Sequence, residues 1–240
     1  MKKHLTPQGE EARVVLLART AKEVKSYQTQ KRVLLAALGV LLILVTLLYM
    51  LAILYRKTGS FTVNLNKYDM SKNCLALSDT RTMDYHTSQL NANIDELMTN
   101  ISGDSIPRNV DMIDGEHNGD NYIAYTFYVS NVGAIPVPYE YSLKISNITR
   151  NLDEAIRIRL YVDGVPATYA KTRSDGTGPE PGTTEFFSEN IVVQDRTDEF
   201  RPGEKTKFTV VIWIEGDDPD CVDWLVGGKL RADMYVSAIA

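Results

Sequence analysis

The spacing of apolar positions changes near residue 58. Upstream, residues 33–55 form one unbroken apolar run, VLLAALGVLLILVTLLYMLAILY, bounded by Lys31-Arg32 and Arg56-Lys57. At about 1.5 Å per residue this run makes a helix of roughly 35 Å, enough to cross a hydrocarbon core of about 30 Å with some tilt. Downstream the period falls to two. Residues 61–66 (FTVNLN) alternate apolar and polar and predict a strand directly after the apolar run. Residues 121–131 (NYIAYTFYVSN) put Ile123, Tyr125, Phe127 and Val129 on one face, and their aromatic and β-branched content predicts a central strand. Asn131-Val-Gly-Ala follows as a turn. The next strand is expected over 137–145, with Pro136 and Pro138 at its start, where a missing N–H is tolerated. Residues 155–162 alternate Ile156, Ile158 and Leu160 with Arg157, Arg159 and Tyr161, and Asp163-Gly164 marks a tight turn. Glycine and proline make 172–184 a loop. Strands are expected over 186–193, 207–215 and 229–239, with a turn at Arg201-Pro-Gly-Glu204.

Seven or so strands without intervening helices predict a mainly β ectodomain over 58–240, an antiparallel sandwich or jelly roll following a single N-terminal transmembrane helix. Residues 71–119 fit this pattern least: they are polar and partly irregular, with a short helix expected near 94–100.

Charge orients the apolar helix. Residues 1–32 carry eight Lys and Arg against three Glu, a net of +5, whereas 58–240 carry 16 basic against 28 acidic residues, a net of −12. Positive residues stay inside, so a basic tail over 1–32 is expected in the cytoplasm and the acidic domain outside the plasma membrane. The apolar core exceeds the roughly 7–15 residues of a cleavable signal, and Arg56-Lys57 interrupts the place where a small-x-small cleavage site belongs; the Thr58 and Ser60 pair is a poor substitute. An uncleaved signal anchor over 33–55 is therefore expected, with the bilayer as its partner. Within the tail, 10–28 contains helix formers and Val14-Val15-Leu16-Leu17 among basic residues. This segment reads either as an amphipathic helix on an anionic leaflet or as a solvated juxtamembrane helix.

Candidate chemistry is sparse. The three histidines, His4, His86 and His117, form no His-Glu-x-x-His motif, so the usual zinc-protease arrangement is absent. Residues 111–121 bring together Asp111, Asp114, Glu116, Asn118 and Asp120, oxygen donors of the kind calcium takes, without the EF-hand spacing. Asp217, Asp218 and Asp220 form a second acidic loop beside Pro219 and are candidate calcium ligands by the same reasoning. Both loops also read as solvated turns. Cys74 and Cys221 are the only cysteines and fall in the domain expected outside, where a disulfide can form; the alternative is two free thiols. There is no Gly-x-Ser-x-Gly elbow, P-loop or dinucleotide fingerprint, and a domain at −12 repels nucleic acid. No cofactor is implied beyond calcium. The sequons at Asn100 and Asn147 matter only in a eukaryotic secretory route.

Residues 125–145 (YTFYVSNVGAIPVPYEYSLKI) and 200–221 (FRPGEKTKFTVVIWIEGDDPDC) resemble the TasA/camelysin-like extracellular β-sandwich proteins of Firmicutes, as does the order of hydrophobic segment, immediate strand and β domain. The resemblance implies a Gram-positive cell-surface protein with a jelly-roll fold. That group includes biofilm matrix fibre proteins and a surface metallopeptidase. Matrix subunits of this kind are released by a signal peptidase; the poor release site here implies a tethered relative. Three functions are then expected in order: a non-enzymatic structural or interaction protein of the surface or matrix, a camelysin-like metallopeptidase, or an accessory subunit of a membrane complex. For the first, protein partners, self included, would add to sheet edges. Phe61, Val63 and Leu65 mark a strand that, if released, would insert into the next subunit.

Overall fold

The computed structural model describes residues 26, 29–51, 59–66, 75–94 and 98–239, in two units, Met1–Tyr55 and Arg56–Ala240. The first contains a 23-residue helix, α1 (Thr29–Leu51). Its leucines, valines and isoleucines are exposed around the whole circumference, from Leu34 at 69% to Leu51 at 42%. The Thr46 hydroxyl donates to the Ile43 carbonyl at 2.8 Å, so this polar group is satisfied within the helix.

The second unit contains β1 (Gly59–Leu65), β2 (Leu75–Ser78), β3 (Gln89–Ile94), β4 (Gly115–Glu116), β5 (Tyr122–Asn131), β6 (Tyr139–Ile148), β7 (Ile156–Val162), β8 (Val165–Ala170), β9 (Thr184–Glu185), β10 (Ile191–Thr197), β11 (Lys205–Ile214) and β12 (Leu230–Ala238). They form two sheets, one ordered β10-β6-β12-β1-β3 and the other β2-β5-β11-β7-β8-β9, with β4 also on β5. The alternating apolar residues of both meet in one core. Phe61 meets Tyr125 with ring centroids 6.2 Å apart, and Tyr141 meets Phe208 at 5.0 Å, so aromatic contacts join the two inner faces.

The expected mainly β sandwich is therefore present, with both sheets mixed rather than wholly antiparallel. β1 runs parallel to β12, Phe61 opposite Ala232 and Val63 opposite Met234, and antiparallel to β3 on its other side. The first and last strands lie side by side in the same direction, which a hairpin-only topology does not allow. Asp163 and Gly164 adopt φ of 50° and 84° in a two-residue turn that joins β7 to β8, as a type I′ hairpin requires. The strand expected over 186–193 forms later, as β10. Phe187 N–H donates to the Val192 carbonyl and Ser188 N–H to that of Ile191, so 187–192 turns, and the side chain of Phe187 is exposed.

Residues 98–112 explain why β5 is buried on nearly every side chain. Ile106 and Val110, beside the 3-10 turns Gly103–Ser105 and Val110–Met112, cover Ala124, Tyr161, Val211 and Trp213 on the outer face of the second sheet as a small separate core. Within 71–119, expected to be partly irregular, β2, β3 and β4 form, and 98–112 is a loop laid over a sheet face. The short helix expected near 94–100 is not found where it is described: Ile94 ends β3, Met98 to Asn100 have no helical turn, and 95–97 lie outside the described residues.

Candidate functional site

The acidic residues of 111–121 are distributed among separate partners. Asp111 pairs with Lys207 at 3.3 Å, and the same ammonium donates to the Asp111 carbonyl at 2.7 Å. Asp114 accepts the Tyr128 hydroxyl at 2.6 Å and the Arg81 N–H at 3.1 Å. Burial, reinforced by the Asp114 hydrogen bond and charge, pushes the Tyr128 phenol well above its ordinary value. Glu116 turns toward β3, accepting from the Asn93 N–H at 3.1 Å and the Asn118 amide at 2.7 Å. Asp120 is exposed. Asp111 and Asp114 border a cleft of about 680 Å³ together with Asp163 and three cations, Arg81, Lys205 and Lys207. Lys207 and Asp111 form its ion pair, while Asp163 accepts the Lys207 backbone N–H at 2.8 Å and Lys205 donates to the Arg81 carbonyl at 3.0 Å.

The second acidic loop also divides. Asp218 forms a buried ion pair with Arg157. Its second oxygen accepts the Asp220 N–H at 2.8 Å, and Asp220 accepts the Ser174 hydroxyl at 2.6 Å. Asp217 is exposed beside Glu215. Among the described residues, no three His, Cys, Asp or Glu side chains gather as a metal ion would need.

His117 has one ring nitrogen 2.8 Å from the Gly115 carbonyl and the other 2.7 Å from that of Val110, so the ring sits between two carbonyls of the 110–117 turn; His86 is exposed. Cys221 is a half-buried free thiol whose sulfur accepts the Asn100 amide at 3.5 Å. Neither residue makes a nucleophile–base pair with another described residue in this arrangement. Cys74 lies outside the described residues. Its covalent neighbour Leu75 pairs with Asn131, while Cys221 lies by Asn100, next to the Ile101–Glu215 bridge at the Tyr122 end of β5. The two ends of β5 are separated by nine residue steps, about 30 Å at roughly 3.4 Å each.

Phe61, Val63 and Leu65 occupy an internal strand. All three face the core, the first two fully buried, and β1 is bonded to β12 and β3 on its two sides. In this arrangement β1 is internal and not at an edge: pairing with β12 and β3 buries its apolar face and uses both rows of its backbone groups.

Two arrangements are invisible without the fold. On β7 and β11, Arg159 lies 5.0 Å from the Trp213 ring and donates to Thr168 at 3.0 Å, while the Trp213 indole N–H and the Gly103 N–H both donate to Glu215, at 2.9 and 3.1 Å. A Cβ on Gly103 would lie 3.0 Å from the Trp213 ring, so this close approach needs glycine. The alternating arginines of 155–162 were the available signal, but their partners lie some 50 residues away. The other arrangement is the outer face of the five-stranded sheet. Three rungs cross β3, β1 and β12 there: Gln89–Asn64–Tyr235, Asn91–Thr62–Asp233 and Asn93–Ser60–Arg231. Polar alternation was legible in each strand, but their alignment needs the register.

No family model matches the chain, and no curated protein matches it. Among solved structures, the N-terminal domain of PorA is 9% identical with a TM-score of 0.23, over 67% of this chain and 96% of that one. A β-glucosidase from Kluyveromyces marxianus in complex with glucose is 10% identical at a TM-score of 0.23, over 67% of this chain and 16% of its own. An α-xylosidase from Xanthomonas citri is 12% identical at 0.22, over 68% and 16%. Likeness at this level carries no functional argument.

Proposed function

We propose that this protein is a membrane-tethered, non-enzymatic surface protein that presents its β-sandwich to other molecules outside the cell. The observation that carries the reading is α1: from Val33 to Leu51 it is apolar on every side, which suits lipid and not water. The +5 tail and −12 domain support an inward N-terminus. The internal pairing of the acidic loops, His117 and Cys221 favours a structural role for each over chemistry. A surface or matrix role of the TasA-like kind rests on the sequence resemblance.

Contact through an open sheet edge receives less support than contact through a face. At the β3 edge, the Thr87 hydroxyl accepts from the Gln89 N–H at 3.2 Å and donates to its carbonyl at 3.0 Å. Glu116 and Asn118 bond the Asn93 N–H and carbonyl. Side chains therefore occupy backbone groups that an added strand would need.

The test is cell fractionation with mass analysis of the mature terminus, combined with protease treatment of intact cells. The expected result is an intact N-terminus in the alkali-washed membrane fraction and digestion of the 58–240 domain from outside. A terminus near Ser60 in the medium would refute the tether, and protection of the domain would refute the orientation.

A further inference from the structure

We propose that the outer face of the five-stranded sheet binds an uncharged glycan chain, a role that goes beyond display by the tether and does not depend on it for its test. A groove of about 420 Å³ runs across this face, within the range of about 300–1,000 Å³ typical of small-molecule sites. Its polar lining is Ser60 and Thr62 from β1, Asn91 and Asn93 from β3, Asn147 from β6, Arg231 from β12 and Lys229 just before it.

The chemistry of these groups selects the ligand. Each asparagine amide presents donors and an acceptor, and each hydroxyl does both, which matches the neighbouring hydroxyls of a sugar ring. Among the described residues, the side chains of Ser60, Thr62, Asn91, Asn93 and Asn147 hydrogen-bond to no protein group; the bonds at Asn93 are made by its backbone. They stand in rows, about 4.8 Å apart from strand to strand and about 6.8 Å along each strand, so an extended chain of repeating hydroxyls meets them in register. Arg231 is already paired: its guanidinium lies 3.3 Å from Asp233, whose side chain is only 3% exposed. Lys229 is the other charged residue of the lining, beside five uncharged amide and hydroxyl side chains, so most of the groove's hydrogen-bonding groups carry no charge. The groove also presents no exposed apolar anchor of the kind that dominates protein–protein contacts. On the adjacent rung Tyr235 is 44% exposed; the Lys144 ammonium lies 5.5 Å from its ring centre, and the exposed part of the ring offers an apolar surface for the C–H face of a sugar.

The experiment is calorimetric titration of the full-length chain in neutral detergent micelles with two uncharged hexasaccharides, cellohexaose and chitohexaose, at low and high salt. Saturable binding to at least one is expected, with affinity little changed by salt, because these sugars carry no charge for salt to screen. A net hydrogen bond contributes a factor of about two to ten. Asn91→Ala with Asn93→Ala should thus weaken binding at least about fourfold, and Asn147→Ala, on another strand, about two- to tenfold. Both sites are exposed, so the thermal midpoint should stay put. No heat with either sugar at millimolar concentration overturns the proposal. So does binding that survives all three substitutions, binding abolished by salt, or self-association through this face that persists when the amides are removed.

Discussion

Asp218→Ala should be the most damaging single change in the acidic loops, for reasons worked from its surroundings. The Arg157 side chain is 4% exposed and that of Asp218 2%, so the pair is sealed from water. Removing the carboxylate leaves a buried guanidinium whose other described hydrogen bond runs to the Ile156 carbonyl at 3.2 Å. Breaking a buried pair from one side costs about 3–5 kcal/mol. Loss of the acceptor for the Asp220 N–H also frees the turn that follows β11. At about 2–4 °C per kcal/mol for a domain of this size, the midpoint should fall by roughly 6–20 °C. Urea and thermal unfolding, followed through the buried Trp213, measure this directly. A companion double variant, Arg157→Met with Asp218→Leu, removes both charges and should match the parent or exceed it by about 1–4 kcal/mol. Calcium should leave the parent's midpoint unmoved, because Asp218 neutralises an arginine. A single variant that loses under about 1 kcal/mol would refute the reasoning, since Arg157 would then be reaching water. A calcium-dependent midpoint would refute the assignment of Asp218 to Arg157.

Alkali should unfold the sandwich. Burial is the chief cause raising the phenols of Tyr125, Tyr139, Tyr141 and Tyr169, and the hydrogen bond to Asp79 raises Tyr85 to about 12. Below about pH 10 these tyrosines are neutral in both folded and unfolded chains. Above it the unfolded chain ionises first, so stability falls as pH rises through about 10 to 12 and beyond. Absorbance and circular dichroism should therefore change together, and phenols that ionise near 10 in an intact fold would contradict this. Cys74 and Cys221 should alkylate as two thiols in protein purified without reductant, because a disulfide needs Cα atoms within about 7 Å and Leu75 pairs at the far end of β5 from Cys221; an internal bridge found by mass analysis would contradict the strand order. Phe61→Asp should abolish folding of the sandwich, since it buries a carboxylate at a position with no exposure; a folded variant with altered assembly would restore the exchange-strand idea. Gly103→Ala should cost about 1–3 kcal/mol by overpacking against the Trp213 ring, read as a lower midpoint, and an unchanged midpoint would show that the loop yields freely.

Local chemistry was legible in the sequence, and long-range pairing was not. Residues 121–131 and 207–215 announce β5 and β11 because aromatic and β-branched residues alternate there, and Asp163-Gly164 announces its hairpin because that turn needs two positive φ angles. The 186–193 expectation slipped because two phenylalanines look like strand residues, yet only Phe186 is buried while Phe187 turns outward. The internal position of β1 could not be read, because 61–65 carries the same alternation whether it lies at an edge or between β12 and β3. Asp218 failed as a readable ligand for a similar reason. Clustered carboxylates in a sequence look like a metal site until the fold brings a buried arginine from another strand.

The two outer faces of the sandwich are treated differently, and this difference narrows where contact with other molecules should occur. On the second sheet, the outer-facing Ala124, Val211 and Trp213 are apolar, and residues 101–112 cover them. Leaving them bare would expose a contiguous apolar patch, an aggregation hazard. On the first sheet, Asn91, Ser60, Asn93 and Gln89 occupy the corresponding positions, which remain compatible with water without a covering segment. The β3 edge is also occupied by Thr87, Glu116 and Asn118. Of these surfaces, the amide-bearing face combines unpaired hydrogen-bonding side chains with a groove. A partner that engaged the covered face would have to displace Ile106 and Val110 from a core, whereas one that engages the open face displaces only water.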